Sequence, residues 1–403
     1  MSRNRVAAFG FATALLMCSG FLSASLATAE DKIIVGAATA TSGWMAAYDE
    51  GPINAAKLAI EEINENGGLL GRQLELVHVD SKTDRAAGAK AGAAVLEQGA
   101  QMVIVGCDFD MGAPPALVAN QKEIISFSTC GADIKFGNLS AGRYVFTMAT
   151  DSAATGAIMA DWAYRQKGWR TAYALLDTII EYNKSLCRGF VDRWTELAGT
   201  ENLLLEDTFK NDDPSVASQI TRFKALPDQP DVMMLCSVTP GGAAAMRQFR
   251  AAGIDIPIMA GTWADGDAWH DSLPAEHLTA IYYNSYSSAR GDDPRPDVKE
   301  FLEKFQAKYN KRPATGQAVT GYAVVQAWAR AVERAKSLDS NKVLSELEKF
   351  DNEPLLAGLT TFTSDLHINK GRPMIIVGFD RGKPVPEGYY DPSQGQMVEW
   401  WNN

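Results

Sequence analysis

Two kinds of hydrophobic pattern alternate along the chain from residue 33 onward. Short runs of almost only apolar residues alternate with longer stretches in which apolar residues recur every three or four positions. The first kind is typical of strands buried on both faces, and the second of amphipathic helices. Strands are therefore predicted at 33–36, 74–79, 102–105, 124–128, 171–176, 203–208, 232–236, 256–260 and 278–283. Helices are predicted at 52–66, 85–99, 114–122, 153–167, 186–197, 214–225, 242–252, 296–309, 317–335 and 341–350.

This alternation predicts an α/β fold built from parallel sheets with helices on both faces. The pattern restarts near residue 153, and no flexible or low-complexity linker separates the two halves. A β-like tail follows from Thr360 and includes the apolar run 374–379. We therefore expect two doubly wound α/β halves that face each other closely.

The first 29 residues have the features of a secretory signal peptide. Arg3 and Arg5 precede a short apolar core, and Ala27-Thr28-Ala29 forms a small-x-small cleavage site. The core is too short to span a bilayer comfortably, which disfavours a membrane helix. Cys18 follows Met17 rather than the small residue that normally precedes a lipid-modified cysteine. We expect residues 1–29 to be removed and the remaining chain to be exported.

Composition and charge argue against some classes of binding partner. The chain has 403 residues, 38 of them basic and 49 acidic, for a net charge of −11. Without the two leader arginines the net charge is −13. Nothing here resembles the basic surface that nucleic acid or anionic lipid requires, so we expect neither as a partner. An acidic enzyme and an acidic binding protein both remain compatible with these numbers.

Four cysteines remain after the leader: Cys107, Cys130, Cys187 and Cys236. An even number in an oxidising compartment allows two disulfides in three connectivities. Cys107 and Cys130 follow the ends of two successive predicted strands, and neighbouring parallel strand ends lie within bridging distance. We favour a Cys107–Cys130 disulfide. Buried free thiols are favoured for Cys187 and Cys236.

The chain lacks the common catalytic signatures. The chain contains no GxSxG, HExxH, GxxxxGK or GxGxxG motif, and its four histidines lack metal-ligand spacing. Acidic pairs such as Asp108 and Asp110 could act as the acid and base of an exported enzyme. We expect no enzyme activity, no metal and no cofactor.

Several stretches carry a family resemblance. Ser42-Gly43 and Tyr48 are followed by a helix that ends Ile63-Asn64-Glu65-Asn66-Gly67-Gly68-Leu69-Leu70-Gly71. Further matches are the acidic turn 79–84, the helix end 247–253 and Gly321-Tyr322-Ala323. Together they resemble the periplasmic ligand-binding proteins of the Leu/Ile/Val-binding type, which feed ABC transporters. The resemblance covers nearly all of the chain after the leader.

The resemblance implies two α/β lobes joined by three chain crossings, near 148–151, 283–285 and 358–361. The first lobe would comprise 31–149 and 284–358, and the second 150–283 and 359–403. It also implies a monomeric periplasmic protein that closes on a small solute by a hinge motion. Its other partners would be the permease and ATPase subunits of an ABC importer. The expected solute is an amino acid or a related compound.

The resemblance also suggests ligand-binding residues. These are Trp44, Tyr48, Asp108, Phe109, Ser128, Cys130, Asp151, Tyr182, Thr262 and Trp263. The family's second-lobe acid, which grips an ammonium group, is missing from its usual place, and Asp265 or Asp267 would have to replace it. An ionised Asp108 would repel a ligand carboxylate. The alternatives are therefore a solute such as an amide, a quaternary amine or an aromatic acid, or a ligand-sensing subunit for a receptor.

Overall fold

The computed structural model of the protein describes residues 1, 32–267 and 269–398. The expected signal peptide lies outside the described residues, except for Met1. Within the described ranges, none of the helices combines the length and the apolar character needed to cross a membrane.

Fifteen strands are described. Their bounds are β1 Ile33–Thr39, β2 Leu74–Asp80, β3 Met102–Val105, β4 Ser126–Ser128, β5 Val145–Thr147, β6 Ala172–Asp177, β7 Leu203–Phe209, β8 Val232–Cys236, β9 Ile258–Ala260, β10 Ile281–Ser285, β11 Glu353–Leu355, β12 Gly358–Thr360, β13 Met374–Asp380, β14 Lys383–Asp391 and β15 Gln396–Val398.

Ten α-helices are described between these strands. Their bounds are α1 Ala46–Glu65, α2 Arg85–Glu97, α3 Phe109–Gln121, α4 Ser152–Trp162, α5 Glu181–Ala198, α6 Ala217–Lys224, α7 Gly241–Ala251, α8 Pro296–Tyr309, α9 Ala318–Ala335 and α10 Ser340–Leu347.

The strands form two main sheets. The first has the order β2-β1-β3-β4-β5 and all its pairs are parallel. The second has the order β15-β14-β13-β10-β9-β8-β6-β7, in which β6 to β10 are parallel. The predicted α/β fold with two doubly wound parallel sheets is confirmed. The tail differs, because β13, β14 and β15 add to the second sheet as antiparallel strands.

Burial on both faces explains the continuous apolar strands of the first sheet. Val103 and Val105 pack with residues of α2 and α3 in one core cluster. Met102 and Ile104 belong to another cluster, which includes α1 and α9. Successive residues of a strand point to opposite faces, so a strand covered on both sides needs apolar residues throughout.

Three helices begin earlier than the sequence pattern predicts. The expected starts were Pro52, Pro114 and Leu186, whereas α1, α3 and α5 begin at Ala46, Phe109 and Glu181. Asp108 and Asp151 cap the N-termini of α3 and α4 by accepting hydrogen bonds from backbone N–H groups. The additional turns bring helix N-termini to the carboxyl ends of the strands.

The segment after β12 returns to the first sheet before it enters β13. The backbone N–H of Thr147 in β5 donates to the carbonyl of His367 at 3.0 Å. The His367 ring stacks on Phe146 with centroids 3.8 Å apart. Residues near 367 therefore lie against β5, although the predicted boundary assigns 359–403 to the second lobe.

Both cysteine pairs are bonded in the structure. Cys107 pairs with Cys130, with Cα atoms 4.4 Å apart, as the neighbouring strand ends lead one to expect. Cys187 pairs with Cys236, with Cα atoms 5.5 Å apart. The expectation of two free thiols at 187 and 236 is therefore wrong. Cys187 and Cys236 can pair because α5 packs across β8. This contact joins distant parts of the chain, so the local sequence pattern does not reveal it.

Candidate functional site

A cavity lies where loops from the two sheets meet. On the side of the first sheet it is lined by Trp44, Met45, Tyr48, Cys107, Asp108, Cys130, Ala132 and Gln317. On the side of the second sheet it is lined by Ile180, Tyr182, Val238, Thr262 and Trp263. All of these except Gln317, at the start of α9, follow the carboxyl ends of parallel strands. Open α/β sheets generally bind ligands at this edge.

Aromatic side chains form much of the wall and are held in place by hydrogen bonds. The Tyr48 hydroxyl lies 2.8 Å from Thr239 Oγ1, and the Tyr182 hydroxyl lies 3.2 Å from Thr262 Oγ1. The Trp263 indole N–H donates to the carbonyl of Leu235 at 3.2 Å. With their polar atoms bonded in this way, the rings offer apolar faces to whatever occupies the cavity.

The polar part of the wall is small. Asp108 Oδ1 accepts hydrogen bonds from the N–H groups of Asp110 and Met111 at 2.8 and 3.2 Å. The Gln317 side-chain amide donates to the carbonyl of Thr262 at 2.9 Å, so it reaches from one side of the cavity to the other. Among the described lining residues, Asp108 supplies the one carboxylate, and none is Lys, Arg or His.

The charge of Asp108 is poised near neutral pH. Burial, reinforced by the neighbouring Asp110 carboxylate, raises the pKa of Asp108 to about 7. The two backbone N–H groups oppose this rise, because they stabilise the ionised form. A cationic group placed in the cavity would favour ionisation further. The cavity is therefore better suited electrostatically to a solute with a positive group than to a plain anion.

Seven of the ten expected ligand-binding residues line the cavity. They are Trp44, Tyr48, Asp108, Cys130, Tyr182, Thr262 and Trp263. Cys130 contributes through its disulfide with Cys107 rather than as a thiol.

The other three expected residues, Phe109, Ser128 and Asp151, do not line the cavity. Phe109 packs edge-on against Phe136, with ring centroids 5.9 Å apart. The Ser128 hydroxyl donates to the carbonyl of Gly106 and accepts from the N–H of Gly131, both at 2.8 Å. These residues lie behind the wall and do not line the cavity.

Asp151 and the two acids that the sequence offered for an ammonium group, Asp265 and Asp267, also have protein partners. Asp151 lies 3.3 Å from the Lys370 ammonium group. Asp265 accepts a hydrogen bond from the Ser285 hydroxyl at 2.6 Å. Asp267 is largely exposed and pairs with Arg290. None of these three lines the cavity, so the structure does not supply a replacement for the missing second-lobe acid there.

Sequence reasoning missed several lining residues. Met45, Ala132, Ile180, Val238 and Gln317 were not expected there, and Cys107 was expected only as a disulfide partner. Met45 and Ile180 stand directly before α1 and α5, whose starts were predicted too late. Correct helix starts would have placed both at strand ends, whereas Gln317 carried no signal beyond its position at the start of a long helix.

Hydrogen bonds across the cavity rim join the layers of the two sheets. Glu181 N–H donates to Asp110 Oδ2 at 3.0 Å, and Lys135 forms an ion pair with Glu181. The Ser185 hydroxyl donates to the Asp133 carboxylate. With the Tyr48–Thr239 contact, these bonds connect the two layers directly.

The sequence pattern of the periplasmic binding protein family matches residues 32–383, which covers most of the chain. The chain belongs to this family. It is therefore a periplasmic solute-binding protein, and the suspected resemblance is confirmed.

The names of individual relatives of this periplasmic binding protein state which solutes those relatives bind. A Leu/Ile/Val-binding protein of Rhizobium johnstonii is 25% identical over 370 residues, which cover 86% of this chain and 92% of the relative. The structure is similar to that of a branched-chain amino acid transporter substrate-binding protein from Streptococcus pneumoniae in complex with isoleucine. That match has a TM-score of 0.77 and 23% identity, and covers 90% of this chain and 100% of the other.

A second structural neighbour binds another kind of solute. It is a solute-binding protein of an ABC transporter from Rhodopseudomonas palustris in complex with 3,4-dihydroxybenzoic acid. The TM-score is 0.74 at 18% identity, over 91% of this chain and 100% of the other. At this identity the likeness shows the fold alone.

The buried carboxyl of Asp108 predicts a pH-dependent effect of the Asp108→Asn substitution on this binding protein. The pKa of Asp108 is about 7 in the folded chain, against about 3.9 for an unfolded aspartate. Its protonation therefore favours the folded state at low pH, and this stabilisation is lost as the pH rises through 7. Between pH 5 and pH 8, the unfolding free energy of Asp108→Asn should gain about 2.6 kcal/mol relative to wild type, because only the wild-type protein loses this stabilisation.

Urea unfolding of both proteins at the two pH values measures this difference. Asp339→Asn is a suitable control, because Asp339 also caps a helix by accepting from a backbone N–H. A gain of the same size in the control, or no gain for Asp108→Asn, would contradict the burial of an ionisable carboxyl at the cavity.

Proposed function

We propose that this protein is the periplasmic component of an ABC importer for an amino acid with an apolar side chain. The observation that carries the proposal is the cavity between the two sheets, which residues from both layers line at strand ends. In this account the aromatic rings surround the side chain of the solute. The Asp108 carboxylate faces its ammonium group.

The proposal includes movement of two lobes. They would comprise 31–149 with 284–358, and 150–283 with 359–403, and the solute would favour the closed arrangement by touching both. The closed protein would then be recognised as a monomer by the permease and ATPase subunits. Residues 1–29 would direct export as a signal peptide and be removed from the mature protein. The names of the relatives support an amino acid as cargo, and the Leu/Ile/Val-binding type supports an apolar side chain.

A ligand panel tests the proposal. Purified protein is titrated with L-leucine, L-isoleucine, L-valine, benzoate and glycine betaine, and the thermal midpoint is recorded. At saturation one of the amino acids should raise the midpoint by about 5 °C or more, because the solute binds the folded state alone. Stabilisation by benzoate or glycine betaine, and by none of the amino acids, would overturn the assignment of the solute class.

The pH dependence of affinity tests the orientation of the solute. If its ammonium group meets Asp108, affinity should fall as the pH decreases from 8 to 6, since protonation removes the opposite charge. Affinity that rises over the same interval would place the carboxylate of the solute against Asp108 instead. Asp108→Asn serves as the control, because it should remove the pH dependence.

A further inference from the structure

A buried carboxylate lies directly behind the cavity wall. Asp49 belongs to the first turn of α1 and is 2% exposed. Its Oδ2 accepts a hydrogen bond from the N–H of Ala40 at 2.7 Å, and its Oδ1 accepts one from the N–H of Cys107 at 2.8 Å. Each oxygen of the same side chain thus holds a different segment of the chain.

These two segments are the loops that follow neighbouring strands. Ala40 comes directly after β1, and Cys107 lies two residues after the end of β3, which pairs with β1. A Cβ added to Gly106 would lie 3.2 Å from Asp49 Oδ2, so the carboxylate packs closely on the backbone before Cys107. Asp49 therefore links the two loops where they leave the sheet.

Both loops contribute to the cavity. The loop after β1 leads into Trp44, Met45 and Tyr48, and the loop after β3 supplies Cys107 and Asp108. Asp49 itself is absent from the lining. Any effect that it has on a bound solute must act through the positions of these neighbours.

An ionised carboxylate is costly to bury unless charge-assisted hydrogen bonds compensate for the lost hydration. Here two backbone N–H groups supply that compensation. The first turn of a helix adds a favourable potential for a negative charge. An apolar residue of similar size would avoid the cost of burial, but it would leave both N–H groups without this acceptor.

We propose that Asp49 is a positioning residue of the solute site, which fixes the spacing between the loops after β1 and β3. This inference rests on the proposed solute-binding function. It assigns a determinant of affinity to a residue that does not touch the solute.

Asp49→Asn tests the inference, with Asp231→Asn as a control for the loss of a carboxylate charge outside the cavity. Asparagine has one acceptor oxygen, so one of the two N–H groups would face an amide donor. Asp231 accepts backbone N–H groups from Arg170 and Thr171 at 2.7 and 3.0 Å through Oδ2 alone, and it is exposed and not part of the cavity. An asparagine at 231 therefore removes the charge but can keep both bonds. With L-leucine as the probe, we expect Asp49→Asn to weaken binding at least tenfold and Asp231→Asn less than twofold.

Amide hydrogen exchange supplies a second readout that does not depend on the solute. In Asp49→Asn the N–H of Ala40 or Cys107 should exchange at least tenfold faster, while both remain as in wild type in Asp231→Asn. Gly106→Ala keeps Asp49 but displaces its carboxylate, and should weaken L-leucine binding in the same direction. Combined with Asp49→Asn it should add little further loss, because both changes act on the same contact.

Unchanged affinity in Asp49→Asn, or equal losses in the Asp49 and Asp231 variants, would overturn the inference. If the wild-type protein binds none of L-leucine, L-isoleucine and L-valine, the proposed solute class is wrong. The exchange of the two amides then decides the positioning role alone, and wild-type exchange in Asp49→Asn would refute it.

Discussion

Trp263→Ala is expected to weaken solute binding by about 1 kcal/mol or more, roughly fivefold, as the loss of a buried aromatic anchor typically does. Trp263 lines the cavity from the second sheet and is 2% exposed. Its ring packs over Gly242 of α7, where an added Cβ would lie 2.4 Å from the indole. Removal of the indole would open the wall on that side. Tyr48→Ala should have a comparable effect from the other side of the cavity, because both layers contribute to the site.

Trp194 provides a matched control for Trp263. It is also fully buried, and its indole N–H also donates to a backbone carbonyl, that of Asn202 at 3.2 Å, but it does not line the cavity. Each Trp→Ala change should lower the unfolding free energy by about 3–5 kcal/mol. Calorimetric titration at a temperature where both variants are folded should show weaker binding for Trp263→Ala alone. Equal affinities in the two variants, with wild-type affinity in Tyr48→Ala, would remove these rings from the site.

Gly189→Ala should destabilise the protein by about 3 kcal/mol, the upper end of the usual cost of overpacking. Gly189 lies in α5, where it faces α4 at close range. An added Cβ would lie 1.9 Å from the carbonyl oxygen of Ala153. Gly156 in α4 is similarly close to α5, since its Cβ would lie 2.1 Å from the carbonyl oxygen of Leu186. The two helices could accept the methyl group only by moving apart.

Gly371→Ala is the control for this substitution. A Cβ at Gly371 would meet one neighbouring atom, at 3.9 Å in Pro392, which is ordinary van der Waals contact. Urea unfolding should therefore give a large loss for Gly189→Ala and a change within about 0.5 kcal/mol for Gly371→Ala. Similar stabilities for the two variants would contradict the close packing of α4 on α5.

The strands and several helices could be predicted because their local pattern reflects burial directly. β3 and β8 have the predicted bounds of 102–105 and 232–236, since strands covered on both faces are apolar at every position. α8 begins at the predicted Pro296, a residue suited to a first helical turn. By contrast, β5 was missed, although it is no shorter than β4 and β9, which lie within predicted strands.

The first turns of α1 and α5 were missed for a reason connected with function. Tyr48 and Tyr182 in these turns line the cavity, so apolar periodicity toward the core begins only further along each helix. Contacts between distant parts of the chain were equally hidden. Examples are the pairing of Cys187 with Cys236 and the bond from Gln317 to Thr262 across the cavity. The sequence suggested most of the wall, but not which of its polar groups have protein partners.

A crystal structure of protein purified without denaturation, with any bound solute retained or L-leucine added, tests the central claim most directly. The account predicts one small molecule between the two sheets, in contact with Tyr48, Asp108 and Trp263. The ammonium group of the solute should face Asp108. A solute bound elsewhere, with this cavity filled by water or by protein side chains, would contradict the account.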